Sequence, residues 1–172
     1  VWRAEHTGNN WNAMAAQPVA AWRLASAKVL ALALLATFMQ AVLLLPVLPL
    51  GKVVFHLHGW LPARYYAASV LVVVASVPVC AAQSALSARS RSFVLPVVIG
   101  FVLTCVGAVL LAIKVRAALI YPYCLLAHTT QLGSGSGADA SALTIQSATL
   151  TVVLSVALTA LCVLATARYF NR

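Results

Sequence analysis

The feature that most constrains this chain is the recurrence of apolar runs long enough to cross a bilayer. Residues 29–50, VLALALLATFMQAVLLLPVLPL, contain no charged side chain. About 20 apolar residues span a hydrocarbon core, and backbone in that solvent must satisfy its own hydrogen bonds, as a helix does. Further runs cover residues 65–82, 93–113 and 142–167. The expected fold is therefore all-α, a polytopic membrane helix bundle with about four transmembrane helices. Composition excludes the soluble alternative: 8% of residues are charged, against about 25% in soluble domains.

The charges that remain report topology. Eleven Lys and Arg stand against Glu5 and Asp139, a net charge of +9. A basic balance can mark nucleic-acid binding, but these residues sit at the ends of apolar runs, where the positive-inside rule operates. No nucleic-acid partner is expected. Placing residues 1–28 in the cytoplasm puts Arg3, Arg23, Lys28, Arg89, Arg91, Arg168 and Arg172 inside, with Lys52, Arg64, Lys114 and Arg116 outside. Seven basic residues against four favour this orientation and a cytoplasmic C-terminus in a multi-pass protein of the cell membrane.

Ahead of the first run lies the one long segment that is neither membrane-spanning nor simple loop, EHTGNNWNAMAAQPVAAWRLASAK from Glu5 to Lys28. Asn9 or Asn10 can cap a short amphipathic helix, and Pro18 must end or restart it. A second helix can begin at Pro18 and continue through Lys28 into the apolar segment. On physical grounds alone the stretch also reads as an interfacial helix on the headgroups, anchored by Trp11 and Trp22.

The order Glu, Asn-Asn-Trp, a short apolar stretch, Gln-Pro-Val, Trp-Arg and a Lys at the mouth of a membrane helix resembles the first cytoplasmic loop of type-2 ATP-binding-cassette exporter permeases. The similarity is greatest to the branch associated with lantibiotic and bacitracin self-immunity. The resemblance implies a cytoplasmic coupling segment at 1–28 and a transmembrane domain at 29–172. Glu5, Asn10, Trp11, Met14, Gln17 and Pro18 fall on the coupling helix that seats in the ATPase, and Lys28 on the basic residue opening the next helix. It also implies an ATP-binding-cassette ATPase subunit as partner, a second permease copy or paralogue, and ATP and Mg bound in the ATPase with no cofactor in this chain. An amphipathic antimicrobial peptide, drug or lipid is the implied cargo, with immunity or drug resistance as its outcome. Such permeases have two membrane helices and a start methionine before this loop, whereas this chain opens on Val1; a preceding N-terminal portion is expected.

The connecting segments carry the remaining signals. Gln40 lies mid-span, where an unpaired amide is costly; it either bonds a neighbouring helix or lines a substrate route, as do Gln146 and Thr149 in the polar first third of the last span. Residues 51–64, GKVVFHLHGWLPAR, form an interfacial turn with Trp60 and Tyr65 in the aromatic belt; His56 and His58 lack further donors for a metal. Ser84–Ser92 reads as a polar cytoplasmic turn. Gly100 and Thr104 form a small-xxx-small pair suited to helix packing. Residues 117–128, AALIYPYCLLAH, are too few to cross and read as a re-entrant or interfacial segment. Gln131–Ala140 is a Gly/Ser-rich loop.

Catalysis has no visible machinery. Glu5 and Asp139 are the only carboxylates and both lie outside the spans, so no carboxylate pair forms in the membrane. No GxxxxGK[ST] phosphate loop occurs. Cys80, Cys105, Cys124 and Cys162 sit apart in apolar surroundings, without metal-ligand spacing. The spans hold no ionisable carboxylate or basic side chain on which ion coupling would depend. The expected activity is transport powered by another subunit, not enzymatic; a membrane scaffold or sensor, or a lipid-directed enzyme using His56 and His58, are the competing readings.

Overall fold

A computed structural model describes residues 19–54, 56, 62–90, 92, 94–132 and 144–170. The coupling positions Glu5, Asn10, Trp11, Met14, Gln17 and Pro18, together with His58, Trp60, Arg91 and Asp139, lie outside them. The described elements are α1 (Ala21–Val53), α2 (Ala63–Arg89), α3 (Val94–Ala112), a 3₁₀ turn (Arg116–Ile120), α4 (Pro122–Gln131) and α5 (Ile145–Phe170). α1, α2, α3 and α5 are each long and apolar enough to cross a membrane, and the described residues contain no strand.

Local sequence explains where these helices stop. α2 starts directly after Pro62, and α4 starts on Pro122, a residue whose fixed φ suits the first helical position. α3 closes through Lys114, which takes a left-handed φ of 57°. The Lys114 amide donates to Leu111 O at 3.0 Å and the Val115 amide to Leu110 O at 3.3 Å, the paired bonds that satisfy a helix's last carbonyls. α1 has 33 residues, about 50 Å at 1.5 Å per residue, and so exceeds a hydrocarbon core of about 30 Å. The surplus falls partly at the N-terminal end, where Trp22 and Arg23 stack with the guanidinium 5.5 Å from the ring.

α2 is the hub. It packs most extensively on α5, then on α4 and α1, while α4 sits against both α2 and α3. α2 buries Leu71, Ala75, Pro78, Ala81, Ser84 and Ala88, a seam of mostly small side chains spaced three and four apart that lets neighbouring backbones come close. α5 buries Thr151, Ser155, Thr166 and Ala167. Its threonines bond within their own helix, Thr151 to Ser147 O at 2.9 Å, Thr159 to Ser155 O at 2.7 Å and Thr166 to Cys162 O at 2.8 Å, whereas the buried Ser155 hydroxyl has no hydrogen-bond partner among the described residues. Leu30, Leu34 and Phe38 of α1 and Val98, Phe101 and Val102 of α3 are exposed and form the lipid-facing surface of a bundle of this composition.

Several boundaries differ from the sequence expectation. α1 begins eight residues before Val29 and passes through Pro46 and Pro49 to Val53, because a proline removes one hydrogen bond without forbidding helix on its C-terminal side. The segment from Ser84 to Arg89 is helical rather than a turn; Ala and Ser there permit helix, and Ser84 and Ala88 are buried. α5 runs three residues past Ala167. Gln131 ends α4 rather than opening the loop. On α3 the buried small residues are Gly100 and Gly107, whereas Thr104 is exposed and bonds Gly100 O of its own helix at 2.8 Å.

Gly107 meets the chain where α4 begins. A Cβ there would sit 3.0 Å from Cys124 N and 3.1 Å from Tyr123 C, and backbone atoms cannot swing aside as a side chain does. Gly107→Ala is therefore expected to lower stability by about 1–3 kcal/mol through overpacking, measured as a fall in the thermal unfolding midpoint in detergent; an unchanged midpoint would mean that α3 and α4 are not held this closely.

Candidate functional site

Two polar anchors fix the short α4 beside the long helices. Tyr121 Oη donates to Leu103 O of α3 at 2.8 Å, and Gln83 Nε2 of α2 donates to Tyr123 Oη at 2.9 Å. The two rings lie 5.4 Å apart and tilted by 39°. Burial, with Tyr121 nearby, pushes the Tyr123 phenol up to about 12, so it remains a neutral hydroxyl. Gly100 lies at the same level, where a Cβ would meet the Gln83 amide and displace that side chain. On the next turns of α4 Leu125 and Thr129 are themselves completely buried, and the Thr129 hydroxyl bonds Leu125 O at 2.7 Å.

The far end of α4 closes a groove of ≈ 450 Å³ between α1 and α2. Gln40, Leu43, Leu44 and Val47 form the α1 wall, Tyr65, Ala68, Ser69 and Val72 the α2 wall, and Thr129, Thr130 and Leu132 the floor. α4 thus runs alongside α2 from the level of Gln83 to the level of Tyr65–Val72, because its first residues meet the former and its last the latter. Gln40 is half-buried in an otherwise largely aliphatic wall. An amide there is costly unless water, a ligand or another polar group meets it. At one mouth, Arg64 covers the Tyr65 ring with its guanidinium 5.0 Å from the centroid.

The other route residues named from sequence lie elsewhere. Gln146 and Thr149 are exposed on the first turns of α5, and Thr149 Oγ1 bonds Gln146 O at 3.0 Å. The structure does not bring them to the Gln40 groove. Lys28 is half-buried on α1, some twelve residues before Gln40. Sequence reasoning overlooked Ser69, Thr129 and Thr130 as groove residues and the link from Gln83 to Tyr123; Pro122 between two tyrosines was the available signal for an anchored turn. Among the described residues no three His, Cys, Asp or Glu side chains gather as a metal site.

The profile of the ABC-2 family transporter proteins matches residues 1–107, more than half of the chain. The chain belongs to this family. No curated protein and no solved structure matches it. The ABC-2 match spans α1, α2 and most of α3 and therefore includes two walls of the groove. It is a multi-pass membrane protein of a transporter family whose membrane members are not themselves catalytic.

His128 follows the anchored turns of α4, and burial lowers its pKa from the ordinary 6.5. The unfolded chain therefore takes up a proton before the folded one, so this stability is present above about pH 6.5 and declines as pH falls below it. The unfolding midpoint is expected to drop on acidification from about pH 7.5 to 5.5, and His128→Gln to reduce that drop. An identical pH dependence in the variant would remove His128 as the cause.

Proposed function

We propose that this ABC-2 family chain is the permease subunit of an ATP-binding-cassette exporter that expels an amphipathic substrate using ATP hydrolysed by a separate subunit. The observation that carries the reading is the family match, which covers both the Glu5–Lys28 segment and the helices that wall the groove. Residues 1–28 act as the cytoplasmic coupling segment, with Glu5, Asn10, Trp11, Met14, Gln17 and Pro18 docking on the ATPase and Lys28 opening the first helix of the transmembrane domain, residues 29–172.

In this reading the C-terminal ends of α2 and α5 face the cytoplasm, as the basic residues Arg89 and Arg168 favour. α4 and the 3₁₀ turn before it form a re-entrant element entering from the outer side, supported by the Tyr121 bond to α3 and the Tyr123 bond to α2. Gln40 supplies an amide contact along a mostly apolar route that also carries the small hydroxyl residues Ser69, Thr129 and Thr130. A second permease copy or a paralogue completes that route. Closure of the ATPase dimer pushes the coupling segment, and the membrane halves rock between two states. The groove, with aliphatic walls and an amide within, suits an amphipathic molecule such as an antimicrobial peptide, a drug or a lipid.

The test is co-purification from gently solubilised membranes of cells expressing the neighbouring genes. The parent is expected to retain an ATPase subunit, and Trp11→Ala to weaken retention about 30-fold, the loss usual for a buried aromatic anchor, with Glu5→Ala weakening or uncoupling it. Gln40→Leu should keep the ATPase but lower substrate-stimulated hydrolysis. A parent that retains no ATPase would instead favour a membrane scaffold or sensor.

A further inference from the structure

At the end of the bundle opposite the groove, the C-terminal turns of α2 and α5 come together. Arg89 from α2 lies with its guanidinium 5.6 Å from the centroid of the Tyr169 ring of α5. Beside this pair a recess of ≈ 250 Å³ is lined by Arg89, Ala165, Arg168 and Tyr169. Both arginines are exposed, so their donors are accessible from outside the bundle.

A structural account covers part of this arrangement: cations near a helix C-terminus interact favourably with its dipole, and arginine stacks on aromatic faces. It does not explain why two guanidiniums share one recess, since like charges brought together repel. The chain's two acidic residues, Glu5 and Asp139, lie outside the described residues. No Asp or Glu side chain among the described residues therefore neutralises the pair. Two arginines lining one small concavity match an oxyanion, which a guanidinium can bond in bidentate fashion.

The surroundings narrow the anion's source. Ala165 supplies an apolar wall, and the adjoining outward face of α5 presents Leu161 and Leu164, 64% and 55% exposed. A ligand here meets positive charge at the helix ends and hydrocarbon-compatible surface one turn further in. A phospholipid has that polarity, with phosphate at the interface and acyl chains beside the leucines. Basic pockets between membrane helices are suited to anionic headgroups. We infer that the recess between the C-terminal turns of α2 and α5 binds the phosphate of an anionic phospholipid, gripped by Arg89 and Arg168 and bordered by Tyr169. This site depends on α2 and α5 spanning the membrane and is independent of the transport reading.

The experiment uses the full chain purified in an uncharged detergent, with the unfolding midpoint followed as phosphatidylglycerol is titrated into the micelles. Phosphatidylcholine with the same acyl chains and inorganic phosphate form the parallel arms. Phosphatidylglycerol is expected to raise the parent's midpoint and phosphatidylcholine not to. Arg89→Gln and Arg168→Gln should each weaken the apparent lipid affinity about fivefold, and the double variant about 25-fold, on the scale of one basic side chain at an anionic surface. If the double variant does not fold, Arg89→Lys with Arg168→Lys keeps both charges while losing the fork, and should still bind several-fold more weakly. Unchanged lipid affinity in the double glutamine variant, or in the double lysine variant, would overturn the proposal. Equal protection by inorganic phosphate would assign the site to a free anion, and loss of a co-purifying subunit with lipid affinity intact would assign the arginines to a protein contact; either result overturns the lipid.

Discussion

The bundle depends on close approach of helix backbones, because in lipid there is little hydrophobic gain from moving a leucine off an acyl chain and onto a neighbouring helix. Association then rests on van der Waals contact and interhelical hydrogen bonds. α2 meets this requirement with Ala75, Ala81, Ser84 and Ala88 along one seam. Gly107 of α3 meets it against backbone, since a further carbon there would press on the start of α4 at 3.0–3.2 Å. Bulk is kept on the outside, where Leu34, Phe38 and Phe101 are exposed. Large side chains therefore dominate the outside, with Leu71, Tyr123, Leu125 and Leu132 among those kept inside.

Apart from the buried Ser155 hydroxyl, which has no hydrogen-bond partner among the described residues, most polar groups are handled in two ways. Hydroxyls of Thr104, Thr129, Thr151, Thr159 and Thr166 bond the carbonyl four residues back, so each is satisfied without help from another helix. The amide of Gln83 instead reaches across to Tyr123. The first kind tolerates a sliding interface; the second fixes one arrangement, because loss of its geometry leaves a polar group stranded in an apolar setting. α4 is held by the second kind at its beginning and by full burial of Leu125 and Thr129 further along. Gln40 contrasts with both, being a half-buried amide in a groove wall.

Much of this was legible in the sequence, and the reason is local. Whether a 20-residue window can cross a membrane is a sum over its own side chains, so the four long helices and the short apolar segment around Pro122 could be placed without tertiary knowledge. Which face of a uniformly apolar helix turns inward is a different question, because Leu and Val serve equally well toward lipid and toward protein. Hence Gln146 and Thr149 were singled out on α5 while Thr151 and Ser155, two and six residues past Thr149, are the buried ones. The helical continuation of α2 through Ser84–Arg89 was missed for a related reason: small polar residues are read as a turn until a neighbouring helix is known to cover them. The link from Gln83 to Tyr123 joins residues forty apart in sequence, and no spacing rule reaches that far.

The length of α1 has a kinematic consequence. Gln40 lies nineteen residues beyond Ala21 on one unbroken helix, a lever arm of about 29 Å at 1.5 Å per residue. If the start of that helix were held, a swing of only about 5° would carry the Gln40 wall about 2.5 Å sideways on that lever arm. Small angular play near the N-terminal end is thereby converted into a change of groove width, with no helix needing to bend or unwind.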